Sequence, residues 1–160
     1  MKVLVFNQQQ DLSISKTSVK PIIEEVLKSE ERSTDEVAVY FVSTAEICRL
    51  HQDFFNDPSP TDCITLPLDQ EETEDYHILG EIFVCPATAI EYVNKRPSPS
   101  KEAIYTETTL YVVHALLHLL GYDDLNPKDK KKMRAAESYH MKALIEHNLL
   151  LKGTKKSIPK

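Results

Sequence analysis

Apolar positions along the chain change period several times, and each change marks an element. Lys2 to Asn7 is a short, weakly alternating, β-rich run that predicts a strand. From Ser15 to Ser29, the residues Val19, Ile22, Ile23, Val26 and Leu27 recur at the spacing of one helix face. Glu36 to Ser43 predicts a second strand. Ser43-Thr44-Ala45-Glu46 then has the pattern of a capping box and opens a helix through Ile47, Leu50 and Phe54. Asn56 to Pro60 is a proline-marked loop. Strand, helix, strand in that order predicts a right-handed crossover with the first two strands parallel.

Two further β-rich runs, Cys63 to Leu66 and Ile78 to Cys85, flank an acidic insertion from Asp69 to Asp75, and together they predict an antiparallel hairpin with a long mobile loop. Pro86 to Asn94 reads as a helix, Arg96-Pro97-Ser98-Pro99-Ser100 as a break, and Lys101 to Leu120 as a longer helix. Asn126-Pro127 is a cap and first-turn signal for a last helix, which turns Met133, Ala136, His140, Leu144 and Ile145 to the core. The expected fold class is therefore α+β, a mixed sheet of about four strands packed with about five helices. It forms a single domain over residues 1–152, followed by a basic, disordered tail over 153–160.

At 160 residues and 41% hydrophobic content the chain can bury a core without staples. It has no apolar run long enough to span a membrane, and its opening apolar stretch is too short for a signal peptide, so the expectation is a soluble cytoplasmic protein with no membrane partner. Cys48, Cys63 and Cys85 are odd in number and lack a Cys-x-x-Cys spacing. They read as small buried apolar residues, neither a disulfide framework nor a thiolate zinc site. The net charge of −6 conceals an asymmetry: residues 1–125 carry 9 basic and 22 acidic side chains, and residues 126–160 carry 10 basic and 3 acidic. Lys128, Lys130, Lys131, Lys132 and Arg134, with Lys152, Lys155, Lys156 and Lys160, form either a solvated helix face with a frayed end or a phosphate-attracting flank.

Candidate chemistry is concentrated at His114-Ala115-Leu116-Leu117-His118-Leu119-Leu120-Gly121-Tyr122-Asp123-Asp124. On a helix, side chains at i and i+4 lie one turn apart on one face, so His114 and His118 can aim imidazole nitrogens at one point. Gly121 offers a left-handed C-terminal cap, after which Asp124 can return an oxygen to the same point. Two imidazoles and one carboxylate make an open three-ligand metal site. The competing reading, two core histidines, leaves buried nitrogens that must find other partners at a cost of about 1–3 kcal/mol each. The spacing also matches metzincin peptidases, but these place a glutamate general base directly after the first histidine, where this chain has Ala115. His51, His77, His140 and His147 fit no motif and are assigned to surface or core packing.

The same segment resembles the signature of the YbeY family of bacterial rRNA maturation endoribonucleases, His-Gly-x-Leu-His-Leu-x-Gly-Tyr-Asp-His. Two more blocks resemble that family in the same order: Pro60-Thr61-Asp62-Cys63-Ile64-Thr65-Leu66-Pro67 and Leu79-Gly80-Glu81-Ile82-Phe83-Val84-Cys85. The resemblance implies a single α+β domain and one divalent metal per chain, zinc by preference, held by three side chains, with no organic cofactor. It further implies cleavage of single-stranded rRNA in maturation and ribosome quality control, and association with the ribosome. Asp62, in the matched loop, either contacts the site or caps a turn. Asp123 either orients a liganding histidine or is an exposed turn residue.

The chain departs from the family pattern at three positions. Ala115 replaces a glycine and favours the helix by up to ~1 kcal/mol. Asp124 replaces the third histidine; its charge makes the metal less electrophilic and admits manganese, iron or nickel beside zinc. Phe55 stands where the family has an arginine suited to a phosphate, leaving Arg49, Arg96, Lys101 or the Lys128–Arg134 helix to supply that charge. The leading reading is metal-assisted phosphodiester hydrolysis, with a ribosome-associated RNA-binding protein carrying a structural metal as the alternative and a metallopeptidase behind both.

Overall fold

The computed structural model describes residues 1–68 and 75–155; the acidic insertion, apart from Asp75, and the last five residues of the basic tail lie outside the described residues. The chain runs β1 (Lys2–Gln8), a single 3-10 turn at Lys16–Ser18, α1 (Val19–Ser29), β2 (Glu36–Val42) and α2 (Thr44–Phe55). It continues through β3 (Cys63–Pro67), β4 (Ile78–Val84), α3 (Pro86–Asn94), α4 (Lys101–Leu119) and α5 (Pro127–Glu146). Three helices start on side-chain caps: Ser43 and Asn126, which the sequence marks, and Ser100, which closes the proline-marked break. Ser43 accepts the Glu46 N–H at 3.2 Å, Ser100 that of Ala103 at 3.0 Å, and Asn126 that of Asp129 at 2.8 Å. For α3, Cys85 makes no side-chain cap; the helix opens on Pro86, whose fixed φ and missing N–H suit a first turn.

The sheet has the order β1-β2-β4-β3, with β1, β2 and β4 mutually parallel and β3 antiparallel to β4 along the edge. β2 is central and reads as an almost unbroken apolar run because both of its faces are covered. Val37, Val39 and Phe41 point into the main core with α1, α4 and α5, whereas Val42 points to the opposite face and packs with Ile47 and Leu50 of α2 and with Ile64. β4 carries one extra residue: its pairing slips from Glu36↔Ile78 to Ala38↔Glu81. That bulge changes the alternation, so Leu79, Ile82 and Val84 all reach the main core.

Gly80 sits at the bulge with φ +152. A Cβ there would meet the Leu66 carbonyl oxygen at 2.6 Å and Leu119 Cδ2 at 2.9 Å. The missing side chain therefore lets the last turn of α4 rest directly on the β3–β4 pair. α4 is buried mainly between Thr108 and Leu117, and the buried Thr108 and Thr109 satisfy their hydroxyls on the carbonyls of Ile104 and Tyr105, each at 2.7 Å. Among the described residues no helix is long and apolar enough to cross a membrane.

The segment read from the sequence as a free tail begins at Gly153. In the structure the chain is tied as far as Thr154: Ser15 N–H donates to Lys152 O at 2.7 Å, and Thr154 N–H to Ser13 Oγ at 3.0 Å.

Gly80→Ala combines a strained φ with a backbone clash, so it is expected to lower unfolding free energy by about 2 kcal/mol or more, read from the urea midpoint. An unchanged midpoint would show that α4 does not depend on this close approach.

Candidate metal centre

α4 ends in a hydrogen-bonded cap that the glycine makes possible. Gly121, at φ +105, donates its N–H to His118 O at 3.1 Å, and Tyr122 N–H reaches back to Leu117 O at 3.0 Å. This pattern folds the chain back over its own helix and carries Asp124 to the histidines. The turn is also held from the far side of the core. Arg32 donates to Leu120 O at 3.0 Å, and Glu30, beside the Tyr122 hydroxyl, together with burial pushes that phenol up to about 12. His140, buried on α5, lies 3.6 Å from Glu30.

His114 and His118 each have one nitrogen turned outward to an acceptor. His114 Nδ1 is 2.7 Å from Glu137 Oε1, and His118 Nδ1 is 3.1 Å from the Tyr122 carbonyl. A carbonyl and an ionised carboxylate only accept, so both Nδ1 atoms carry the proton. In neutral imidazoles each Nε2 then presents a lone pair. These two lone pairs face each other at 3.0 Å, and Asp124 Oδ2 lies 3.5 Å from His114 Nε2 and 3.4 Å from His118 Nε2. Three acceptors thus converge with no donor between them, an arrangement that only a cation or an added proton relieves. The spacing fits a metal: adjacent corners of a tetrahedral shell with bonds of about 2.1 Å are about 3.4 Å apart. Together His114, His118 and Asp124 can hold a metal ion.

Glu137 is the functional side chain that the motif did not reveal. It lies on α5 between Met133 and His140, at the i+4 and i−3 positions of that buried stripe. A carboxylate on a core-facing row is the signal that was available. By fixing the tautomer and ring orientation of His114 it does what an outer partner of a metal-binding histidine does. Burial pulls the His114 pKa down, but the hydrogen bond and charge of Glu137, joined by Asp62 and Asp124, outweigh it and leave the group above its ordinary value.

The three acceptors line a cleft of about 400 Å³ together with Asp62, Cys63 and Asp123, and with His51, Phe55 and Leu125. Asp62 is half-buried, and its Oδ1 accepts the Cys63 N–H at 2.8 Å and the Thr61 hydroxyl at 3.3 Å. Asp123 is exposed, and its Oδ1 accepts the Asp124 N–H at 2.7 Å, bracing the backbone of the acidic ligand. Cys63 is half-buried against the main core, as an apolar residue would be, and it also borders the cleft, where burial and then Asp62 push its thiol well above the usual range and keep it neutral. His51, assigned from the sequence to packing alone, also lines the cleft.

Among the described residues, no lysine or arginine lines this cleft. Arg49 instead pairs with Glu46 and Asp53 on the outside of α2, and Arg96 lies over the Tyr92 ring at 5.2 Å. Arg134 lines a different groove, together with Glu137.

A family model described as Endoribonuclease YbeY matches residues 4–145. A protein of Protochlamydia amoebophila named Endoribonuclease YbeY is 51% identical over 146 residues, covering 91% of this chain and 95% of its own length. Its namesake in Chlamydia abortus is 43% identical over 152 residues, covering 94% and 96%. The solution structure of TM1509 from Thermotoga maritima superposes with a TM-score of 0.59 at 26% identity, covering 91% of each chain.

Glu137→Gln should weaken metal affinity by roughly 10- to 100-fold in chelator competition, with the circular dichroism spectrum unchanged. Equal affinity would remove Glu137 from the site. In metal-free protein the His114 ring should titrate above about 6.5 by NMR. Because the folded value is raised, the stability it contributes is full below the unfolded value and is lost as pH rises through the folded one. A midpoint at or below the ordinary value would contradict the Glu137 contact.

Proposed function

The chain belongs to the Endoribonuclease YbeY family, and we propose that it is a metal-dependent endoribonuclease that cleaves single-stranded rRNA during ribosomal RNA maturation and ribosome quality control in the cytoplasm. In this reading residues 1–152 are the catalytic domain and residues 153–160 a basic extension. His114, His118 and Asp124 are the metal ligands, for one zinc per chain or for manganese, iron or nickel. The observation that carries the proposal is the convergence of three acceptors, without a donor, in an open cleft.

When bound, a divalent metal supplies a Lewis acid that neutralises phosphoryl charge and acidifies water. The protein's own groups do the rest. Glu137 and the Tyr122 carbonyl hold the imidazole planes from outside, so no reorganisation is needed at the moment of reaction. Asp62, on the cleft wall, is the carboxylate available to take a proton from an attacking water. Asp123 acts through Asp124 as a positioning residue.

Charge gives a second line of support. A cleft bearing Asp62, Asp123 and Asp124 and, among the described residues, no lysine or arginine repels phosphate until a cation enters it. The α5 residues Lys128, Lys130, Lys131, Lys132 and Arg134 start four positions after Asp124 and, among the described residues, make no ion pair. The two acidic residues in that half of the helix are engaged elsewhere, Asp129 in the N-terminal cap and Glu137 on His114. The result is an uncompensated positive face leading away from the site, suited to an RNA backbone and expected to make binding salt-dependent.

The purified protein should cleave single-stranded but not duplex RNA. Activity is expected to disappear on chelation, return with added metal, and be absent in His114→Ala. Cleavage surviving both treatments would contradict the proposal. Metal-dependent melting and RNA binding without cleavage would favour the alternative of an RNA-binding protein with a structural metal, a reading to which the lack of a cleft cation gives its one support.

A further inference from the structure

We propose that Phe55, with Leu125 of the same cleft, forms a nucleobase subsite next to the phosphate that is cleaved. The inference rests on the reading of the cleft as a single-stranded RNA site and identifies how that RNA is held beside the metal ligands. Phe55 is 57% exposed and Leu125 84% exposed, and both line the cleft that contains His114, His118 and Asp124. Singly exposed apolar residues are ordinary, but two bordering one polar cleft give it an apolar mouth.

The helix end that carries the aromatic ring is capped, and one neighbouring ring packs on it. Phe55 is the last residue of α2, and Asn56, left-handed at φ 55, closes that helix with its N–H on Gln52 O, while Gln52 Nε2 donates to Asn56 Oδ1 at 3.1 Å. The His51 ring packs 5.8 Å from the Phe55 ring and is itself fixed by its Nδ1, 2.8 Å from Ser59 O. A fixed, exposed aromatic presents a stacking surface without first having to be ordered.

The electrostatics of the cleft select the ligand group. The carboxylates of Asp62, Asp123 and Asp124 disfavour a second phosphate on this wall, whereas a neutral base presents a π-face that their charge does not repel. Stacking one base on one aromatic side chain alters affinity by roughly 5- to 150-fold and tolerates any base identity. Phe55 therefore supplies base contact where a cationic residue would supply phosphate contact, and the subsite works only on a strand whose bases are unpaired.

The test measures binding of a 2′-O-methyl single-stranded oligonucleotide to metal-loaded protein by fluorescence anisotropy. An abasic or 2-aminopurine nucleotide is placed at each position in turn. Phe55→Ala should weaken binding by roughly 5- to 150-fold, and Phe55→Trp should restore it. One abasic position should cost the parent protein as much as Phe55→Ala does and cost the variant nothing, and 2-aminopurine there should be quenched by the parent alone. Abasic costs that add to Phe55→Ala at every position would overturn the subsite while leaving the RNA reading intact. A parent that neither binds nor cleaves RNA would overturn both.

Discussion

Two imidazole Nε2 atoms held 3.0 Å apart, each presenting a lone pair, are the constraint around which the rest of this structure is arranged. Left alone they repel, and each half-buried nitrogen lacks a donor. They stay in place because their opposite edges are bound, one to a carboxylate on α5 and one to the carbonyl exposed by the glycine turn. The stored mismatch is what gives the site affinity for a cation, since Asp124 adds a negative charge at 3.4–3.5 Å to the same point.

The fold serves this arrangement in a specific order. A β-bulge without a side chain at Gly80 lets the end of α4 settle on the β3–β4 pair, which sets the histidines against the loop carrying Asp62. The cap at Gly121 then reverses the chain, and Glu30 and Arg32, at the end of α1, fasten the turn through Tyr122 and Leu120. α5 starts immediately afterwards on Asn126, and that start determines which of its residues meets His114. A cleft with three converging acceptors on the edge of a small mixed sheet is thus a consequence of one close helix–sheet contact and one turn.

Much of this was legible before any coordinates. Caps at Ser43 and Asn126 fixed helix starts because a side chain satisfying its own neighbours' N–H groups is local information. The hairpin of β3 and β4, the parallel β1–β2 pair and the convergence of His114, His118 and Asp124 follow from periods and spacings of the same kind. What escaped was long-range. Glu137 is 23 positions from His114, and nothing near it in sequence specifies that α5 will lie against α4 in that register. Cys63 and His51 escaped for a related reason: their places on the cleft wall depend on where the edge strand and the end of α2 come to rest. The parity change at the β4 bulge was also hidden, because Gly80 reads as an ordinary strand glycine until its neighbour Leu119 is known.

The central claim, that both inward Nε2 atoms and the Asp124 carboxylate form one metal shell, is tested most directly by X-ray absorption at the edge of the metal bound to the purified protein. The account predicts a shell containing the outer scattering of two imidazoles together with carboxylate oxygen at about 2.0–2.2 Å. A shell of oxygen alone, with no imidazole scattering, or one containing sulfur from Cys63, would contradict it.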